Sequence, residues 1–199
     1  MNLIVYWLAF SGGFAIMSME LLGGRLLAPY FGSSIYVWGS IITVFMLALS
    51  IGYLLGGRAT LARVSVRRLG SIFIAGAVLM LPLLLANDAV MGWIFDRLTD
   101  PRLGSLVACM SLFFIPTLVL GMISPYAVRL LVQHRDESGA VAGRLYFVST
   151  LGSALGTLAT SFYLVLWFEM NTLFIILAAL LASSGALGLV LGNRLESQA

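Results

Sequence analysis

The sequence predicts an all-α protein, a polytopic membrane helix bundle with about six transmembrane helices in a single domain spanning residues 1–199. Three observations predict it. Hydrophobic residues make up 61% of the chain and charged residues only 10%, whereas a soluble domain carries roughly 25% charged residues. The mean hydropathy is +1.05. The apolar residues also fall into runs long enough to cross a bilayer, separated by short arginine-bearing connections. A spanning helix needs about 20 mostly apolar residues, so this length accommodates at most six or seven spans.

In order, the expected spans are 2–24, 35–56, 69–87, 105–132, 142–167 and 172–191. The N-terminal run lacks a basic leader and a small-residue cleavage site, so it reads as a first span and not as a removable signal. Residues 88–103 carry Asp88, Asp96, Arg97, Asp100, Pro101 and Arg102 and are too polar to span. Trp93, Ile94, Phe95 and Leu98 predict a short amphipathic helix there, lying on the interface. Pro116 and Pro125 predict kinks or a break in the fourth span. Gly52 and Gly56 in the second span and Gly152 and Gly156 in the fifth form GxxxG pairs. Ser149, Ser153 and Thr157 flank the second pair, so both pairs predict close helix packing.

All eleven basic residues are arginine. Arg58, Arg63, Arg67, Arg68, Arg129, Arg135, Arg144 and Arg194 fall on one side of the predicted topology and only Arg97 and Arg102 on the other, with Arg25, at the end of the first span, assigned to neither. Cytoplasmic connections are enriched in basic residues, so both termini are expected inside, in a bacterial-type inner membrane. Placement at span ends explains the net charge of +3 without nucleic acid, which is not an expected partner. The one cysteine, Cys109, reads as a small core-filling residue.

Glu20 is the first candidate for function, because an ionisable group in an apolar span is costly and faces a cavity or a partner. Arg25 follows five residues later, across Gly23 and Gly24. The two pair if the helix unwinds at the double glycine; otherwise each pairs with another helix. Two readings stay open: a charge pair at the outer headgroup level, or a carboxylate facing a cationic substrate. Tyr30, Tyr36 and Trp38 read as interfacial belt residues that also line the outer mouth. The candidate substrate-binding set is Glu20, Arg25, Tyr30, Trp38, Pro125 and Tyr146. Arg58, Arg63, Arg67, Arg68, Arg129 and Arg144 form the expected cytoplasmic basic face. His134 stands without a second ligand, so no metal is expected. No dinucleotide fingerprint, P-loop, zinc-protease motif or nucleophile elbow is present. No cofactor and no enzyme activity are expected of this chain alone.

Several blocks carry a family resemblance. Glu20-Leu-Leu-Gly-Gly-Arg25-Leu-Leu-Ala-Pro-Tyr-Phe-Gly32, with Val37-Trp-Gly, resembles the first hairpin of membrane-embedded spermidine synthase-like proteins. Leu49-Ser-Ile-Gly52-Tyr-Leu-Leu-Gly56-Gly57-Arg58 matches the close of the second span in that pattern. Leu120-Gly121-Met-Ile-Ser124-Pro125-Tyr-Ala-Val-Arg129 is similar to the fourth span, and Gly143-Arg144-Leu-Tyr146 through Gly152 to Thr157 to the fifth. The blocks cover most of the chain, in order. The resemblance implies a membrane domain of the kind commonly fused to a cytoplasmic aminopropyltransferase-like domain, which binds decarboxylated S-adenosylmethionine and a polyamine. Counterparts of that domain's cofactor-binding glycines and catalytic acids are not found here, so no catalytic residue carries over. A stand-alone protein, a split-gene partner and a piece of a longer protein all remain open.

Such membrane domains are also likened to major facilitators. Gly52 to Arg68 shares the small residues and basic turn of the facilitator loop but lacks its acid, and six spans are half of such a transporter. The resemblance therefore implies binding or transport of a small, polyamine-like molecule, with a homodimer completing the pathway. The alternative is a membrane scaffold anchoring a cytoplasmic spermidine synthase-like protein or domain. In either case the lipid bilayer is the first partner.

Overall fold

The computed structural model of the chain describes residues 2–61, 64–132 and 134–196, with all their side chains except those of 135 and 194–196. Arg63 and the side chains of Arg135 and Arg194 therefore lie outside the described residues. The elements are α1 (Asn2–Phe31), α2 (Ile35–Ala59), α3 (Val66–Leu79), α4 (Leu81–Leu85), α5 (Asn87–Phe95), α6 (Pro101–Gly121) and α7 (Ile123–Leu131). A 3-10 turn (Arg135–Glu137) leads into α8 (Ser138–Ala159). A π-helical turn (Thr160–Leu164), α9 (Val165–Trp167) and α10 (Met170–Glu196) complete the chain. Among the described residues there is no strand. Six helical runs among the described residues are long and apolar enough to cross a membrane: Asn2–Phe31, Ile35–Ala59, Val66–Leu85, Pro101–Leu131, Ser138–Trp167 and Met170–Asn193.

Two of these runs are interrupted near prolines. Pro82 has no N–H to offer the carbonyl of Val78, and the third span turns at Met80, whose own N–H goes to the carbonyls of Gly76 and Ala77 at 3.2 and 3.3 Å. Pro125 likewise leaves the carbonyl of Gly121 without its donor, and the fourth span breaks at Met122. Pro116 lies inside α6, which runs through it uninterrupted. Residues 88–103 form no single helix: α5 occupies Asn87–Phe95, and α6 begins at Pro101 under an N-cap. There Asp100 accepts from the Arg102 N–H at 2.9 Å.

The spans associate as three close pairs, α1 with α8, α2 with α6 and α3 with α10. α1 also touches α2, α5, α6, α7 and α10, which makes it the central helix. The phenyl rings of Phe45, Phe113 and Phe174 run through the middle, with centroids 5.7 and 6.5 Å apart, and tie α2, α6 and α10 together. Both GxxxG pairs sit on facing backbone. A Cβ at Gly52 would meet the carbonyl of Leu118, and one at Gly56 the carbonyl of Met122. Gly152 and Gly156 lie in the same way on the carbonyls of Phe10 and Phe14. Small residues at this spacing let dispersion contacts between backbones hold the helices where lipid supplies no hydrophobic drive.

The start of α1 meets the start of α8, where Tyr6 lines a cavity with Gly143 and Arg144. At the same end the Tyr126 hydroxyl accepts from the Ser65 N–H at 3.2 Å, and Gly192 abuts Arg67. Arg58, Arg67, Arg68, Arg129 and Arg144 are therefore gathered at this end, all exposed. At the other end Phe31 packs against Phe95, and Asn87 donates to Asn171 at 3.3 Å. The arginines there are engaged with aromatic rings. The guanidinium of Arg97 lies 4.1 Å from the Trp93 centroid, and that of Arg102 lies 4.4 Å from Tyr36.

Candidate functional site

The position of Glu20 depends on where α1 ends. A span closing at residue 24 would leave Glu20 a single turn from the headgroups. α1 instead continues to Phe31, so Glu20 lies about 27 Å from one end and about 16 Å from the other at 1.5 Å per residue. A hydrocarbon layer about 30 Å thick centred on this helix encloses it.

The double glycine accounts for the extension. Rather than unwinding, Gly23 and Gly24 give α1 a flat strip on which two aromatic rings lie. A Cβ on Gly23 would stand 3.3 Å from the Phe113 ring, and one on Gly24 2.8 Å from the indole of Trp38. Ring packing from α6 and α2 keeps the helix intact where propensity alone would weaken it. Pro29 falls within the last turn, and Gly32, at φ 78°, makes the sharp exit into α2 that a residue with a Cβ would resist.

Arg25 does not pair with Glu20. Its Nη1 donates to the carbonyl of Val165 at 2.7 Å, one of the last carbonyls of the fifth span, where a cation complements the helix dipole. Glu20 lies close enough to Cys109 of α6 to interact electrostatically. Its side chain is half-buried and makes no hydrogen bond or ion pair with any described residue.

On a different face of α1 from Glu20, the seam with the fifth span holds a buried relay of hydroxyls. Thr160 Oγ1 donates to Ser18 Oγ at 2.9 Å, and Ser18 Oγ donates to the carbonyl of Gly156 at 3.3 Å. Thr160 opens the π-helical turn, a feature often found at functional sites. Ser18 and Thr160 were not among the expected site residues. The signal available was a hydroxyl within an apolar run, shared with every other serine and threonine of the spans.

The remaining candidates do not converge on Glu20. Trp38 shares its level through Gly24. Tyr30 belongs to an aromatic cluster at the bundle end, with its ring 6.1 Å from Phe95 and 6.5 Å from Phe31. Pro125 packs its ring on Gly56 at the arginine-rich end. Tyr146 is exposed there, close enough to Tyr53 to interact. The structure thus sets Glu20 and Trp38 at neighbouring levels of α1, whereas Ser18, Thr160 and Arg25 are engaged with the fifth span on a different face of that helix. α2 and α8 flank α1 here without packing extensively on each other.

Chemically the arrangement offers a carboxylate at membrane depth, without a hydrogen-bond or ion-pair partner among the described residues, and an indole face a turn away, which suits a cation better than an anion. No known family, curated protein or solved structure matches the chain.

Proposed function

We propose that this chain is the integral membrane domain of a spermidine synthase-like protein and that it binds or transports a small polyamine-like cation along the side of α1 that carries Glu20. The observation that carries this reading is the depth of Glu20 combined with its lack of a hydrogen-bond or ion-pair partner among the described residues. A carboxylate at that depth is tolerated when it faces a cavity, a cation or a proton pathway. Trp38 supplies a π face at the same level. The basic end, with Arg58, Arg67, Arg68, Arg129 and Arg144, faces the cytoplasm in this reading, as inside-positive topology requires. The membrane is a bacterial-type inner membrane.

Uptake of radiolabelled spermidine into proteoliposomes tests the proposal. The unmodified protein takes up label above empty vesicles. Glu20→Gln, which keeps shape and removes charge, lowers the rate about tenfold, equivalent to about 1.4 kcal/mol. No uptake by the unmodified protein, or full uptake by Glu20→Gln, overturns it.

A second reading has its own observation, the clustering of exposed arginines at one end. In that reading the bundle anchors a cytoplasmic aminopropyltransferase-like protein or domain, and the arginines meet its acidic surface. Purification from the native membrane in mild detergent recovers such a companion, and recovery without one removes this reading.

A further inference from the structure

On the opposite flank of α1 from Trp38, a cleft runs along the bundle surface between α1, α8 and α10. One part, at the arginine-rich end, has a volume of about 460 Å3 and is lined by Tyr6, Gly143, Arg144, Phe147 and Val148. Beside it an open-sided groove of about 530 Å3 is lined almost wholly by apolar side chains, among them Leu3, Ile4, Trp7, Phe10 and Leu187. Tyr6 and Val148 line both parts, so the two are continuous. Trp7 and Phe10 stack with centroids 6.0 Å apart and make one wall of the groove.

Arg144 stands about 9 Å and Tyr6 about 6 Å from the beginnings of their helices, at headgroup depth. Of the apolar lining, Leu3 and Ile4 lie nearer the beginning of α1 than Tyr6, whereas Phe10 and Val148, about 12 and 15 Å along their helices, reach acyl-chain depth. Arg144 is exposed and has no hydrogen-bond or ion-pair partner among the described residues. Gly143 leaves bare backbone on the cleft wall, since a Cβ there would meet nothing within 4 Å.

A cation and a phenol beside an elongated apolar trough match one ligand, an anionic glycerophospholipid. Arginine binds phosphate oxygens through its planar fork, and basic pockets between spans hold anionic headgroups. A water-soluble anion would gain nothing from the trough, and a zwitterionic lipid would bring its own cation towards Arg144. We propose that this cleft is a binding site for one anionic phospholipid, its phosphate on Arg144 and Tyr6 and one acyl chain in the α1–α8–α10 groove.

Native mass spectrometry of the detergent-solubilised chain tests this, with phosphatidylglycerol and phosphatidylcholine of identical acyl chains added in equal amounts. The unmodified protein retains a single phosphatidylglycerol adduct about tenfold in excess of phosphatidylcholine. Arg144→Gln abolishes the preference, and Arg58→Gln, at the same end outside the cleft, keeps it. Gly143→Leu fills the wall without a clash and removes the adduct, so the result does not depend on one variant folding. Equal retention of the two lipids overturns the proposal, as does an unchanged preference in Arg144→Gln. It is also overturned by displacement of the adduct with excess inorganic phosphate, or by a protein dimer that Arg144→Gln dissociates without any lipid preference.

Discussion

The first and fifth spans are alike in length, 30 residues each, yet half of the first span's apolar stretch is buried and only 17% of the fifth's. α1 sits at the centre and touches α2, α5, α6, α7, α8 and α10, whereas α8 packs chiefly on α1, with a smaller contact to α7, and shows its other faces outward. Leu151, Leu155, Leu158, Phe162 and Leu166 are all exposed in the fifth span. Hydropathy therefore does not say which span is interior, because lipid satisfies an apolar side chain as well as protein does. Small residues are the better guide. Gly12, Gly13, Gly23 and Gly24 of α1 meet neighbours from α7, α8, α6 and α2, while Gly152 and Gly156 of α8 both meet α1 alone.

If the fifth span is held chiefly by that seam, the largest effect comes from wedging it open. In Gly152→Leu the new side chain has to displace the backbone at Phe10. Overpacking of this kind costs about 3 kcal/mol or more where backbone cannot yield, read as loss of folded protein in an SDS-unfolding titration. A smaller effect follows from cutting the hydroxyl relay. Ser18→Ala and Thr160→Val in a double-mutant cycle give a coupling of about 0.6 to 1.7 kcal/mol, the range for interhelical hydrogen bonds in membranes. A coupling of zero would show that the seam rests on glycine packing alone. The smallest effect is at the outer face, where Leu155→Ala changes stability by less than about 0.5 kcal/mol in the same titration. The same change at the fully buried Leu8 of α1 costs about 2 to 5 kcal/mol. Equal costs at the two positions would mean that the fifth span is covered by something other than lipid.

Much of this architecture is legible in the residues. The apolar runs mark the six spans, and Pro125 marks the break three residues before it. The boundaries are less legible where packing overrides local preference. Gly23, Gly24 and Arg25 read together as the end of a helix, and only the Phe113 and Trp38 rings, which arrive from residues far along the chain, explain why it continues. Arg25 has its partner 140 residues away, so its bond to Val165 was beyond any reading of local spacing. Glu20 was legible as the residue of interest, because its cost in an apolar span does not depend on the fold. Its freedom from Arg25 was not, since that follows from where the fifth span ends. Ser18 and Thr160 were hidden for a different reason. A hydroxyl in a span bonds its own helix backbone as readily as a neighbour, as Ser50 and Ser111 do, and nothing in the one-dimensional pattern separates the two uses.

The bond from Arg25 to the Val165 carbonyl lies about 9 Å inside the end of α1, near the boundary between headgroups and hydrocarbon. Its strength is therefore set by the thickness of the host membrane. In a thin bilayer water reaches the guanidinium and competes for it, and the link between the two spans is weak. In a thicker one the same atoms are dehydrated and the bond tightens, so membrane composition becomes a control on how firmly the outer span is fastened to the central helix.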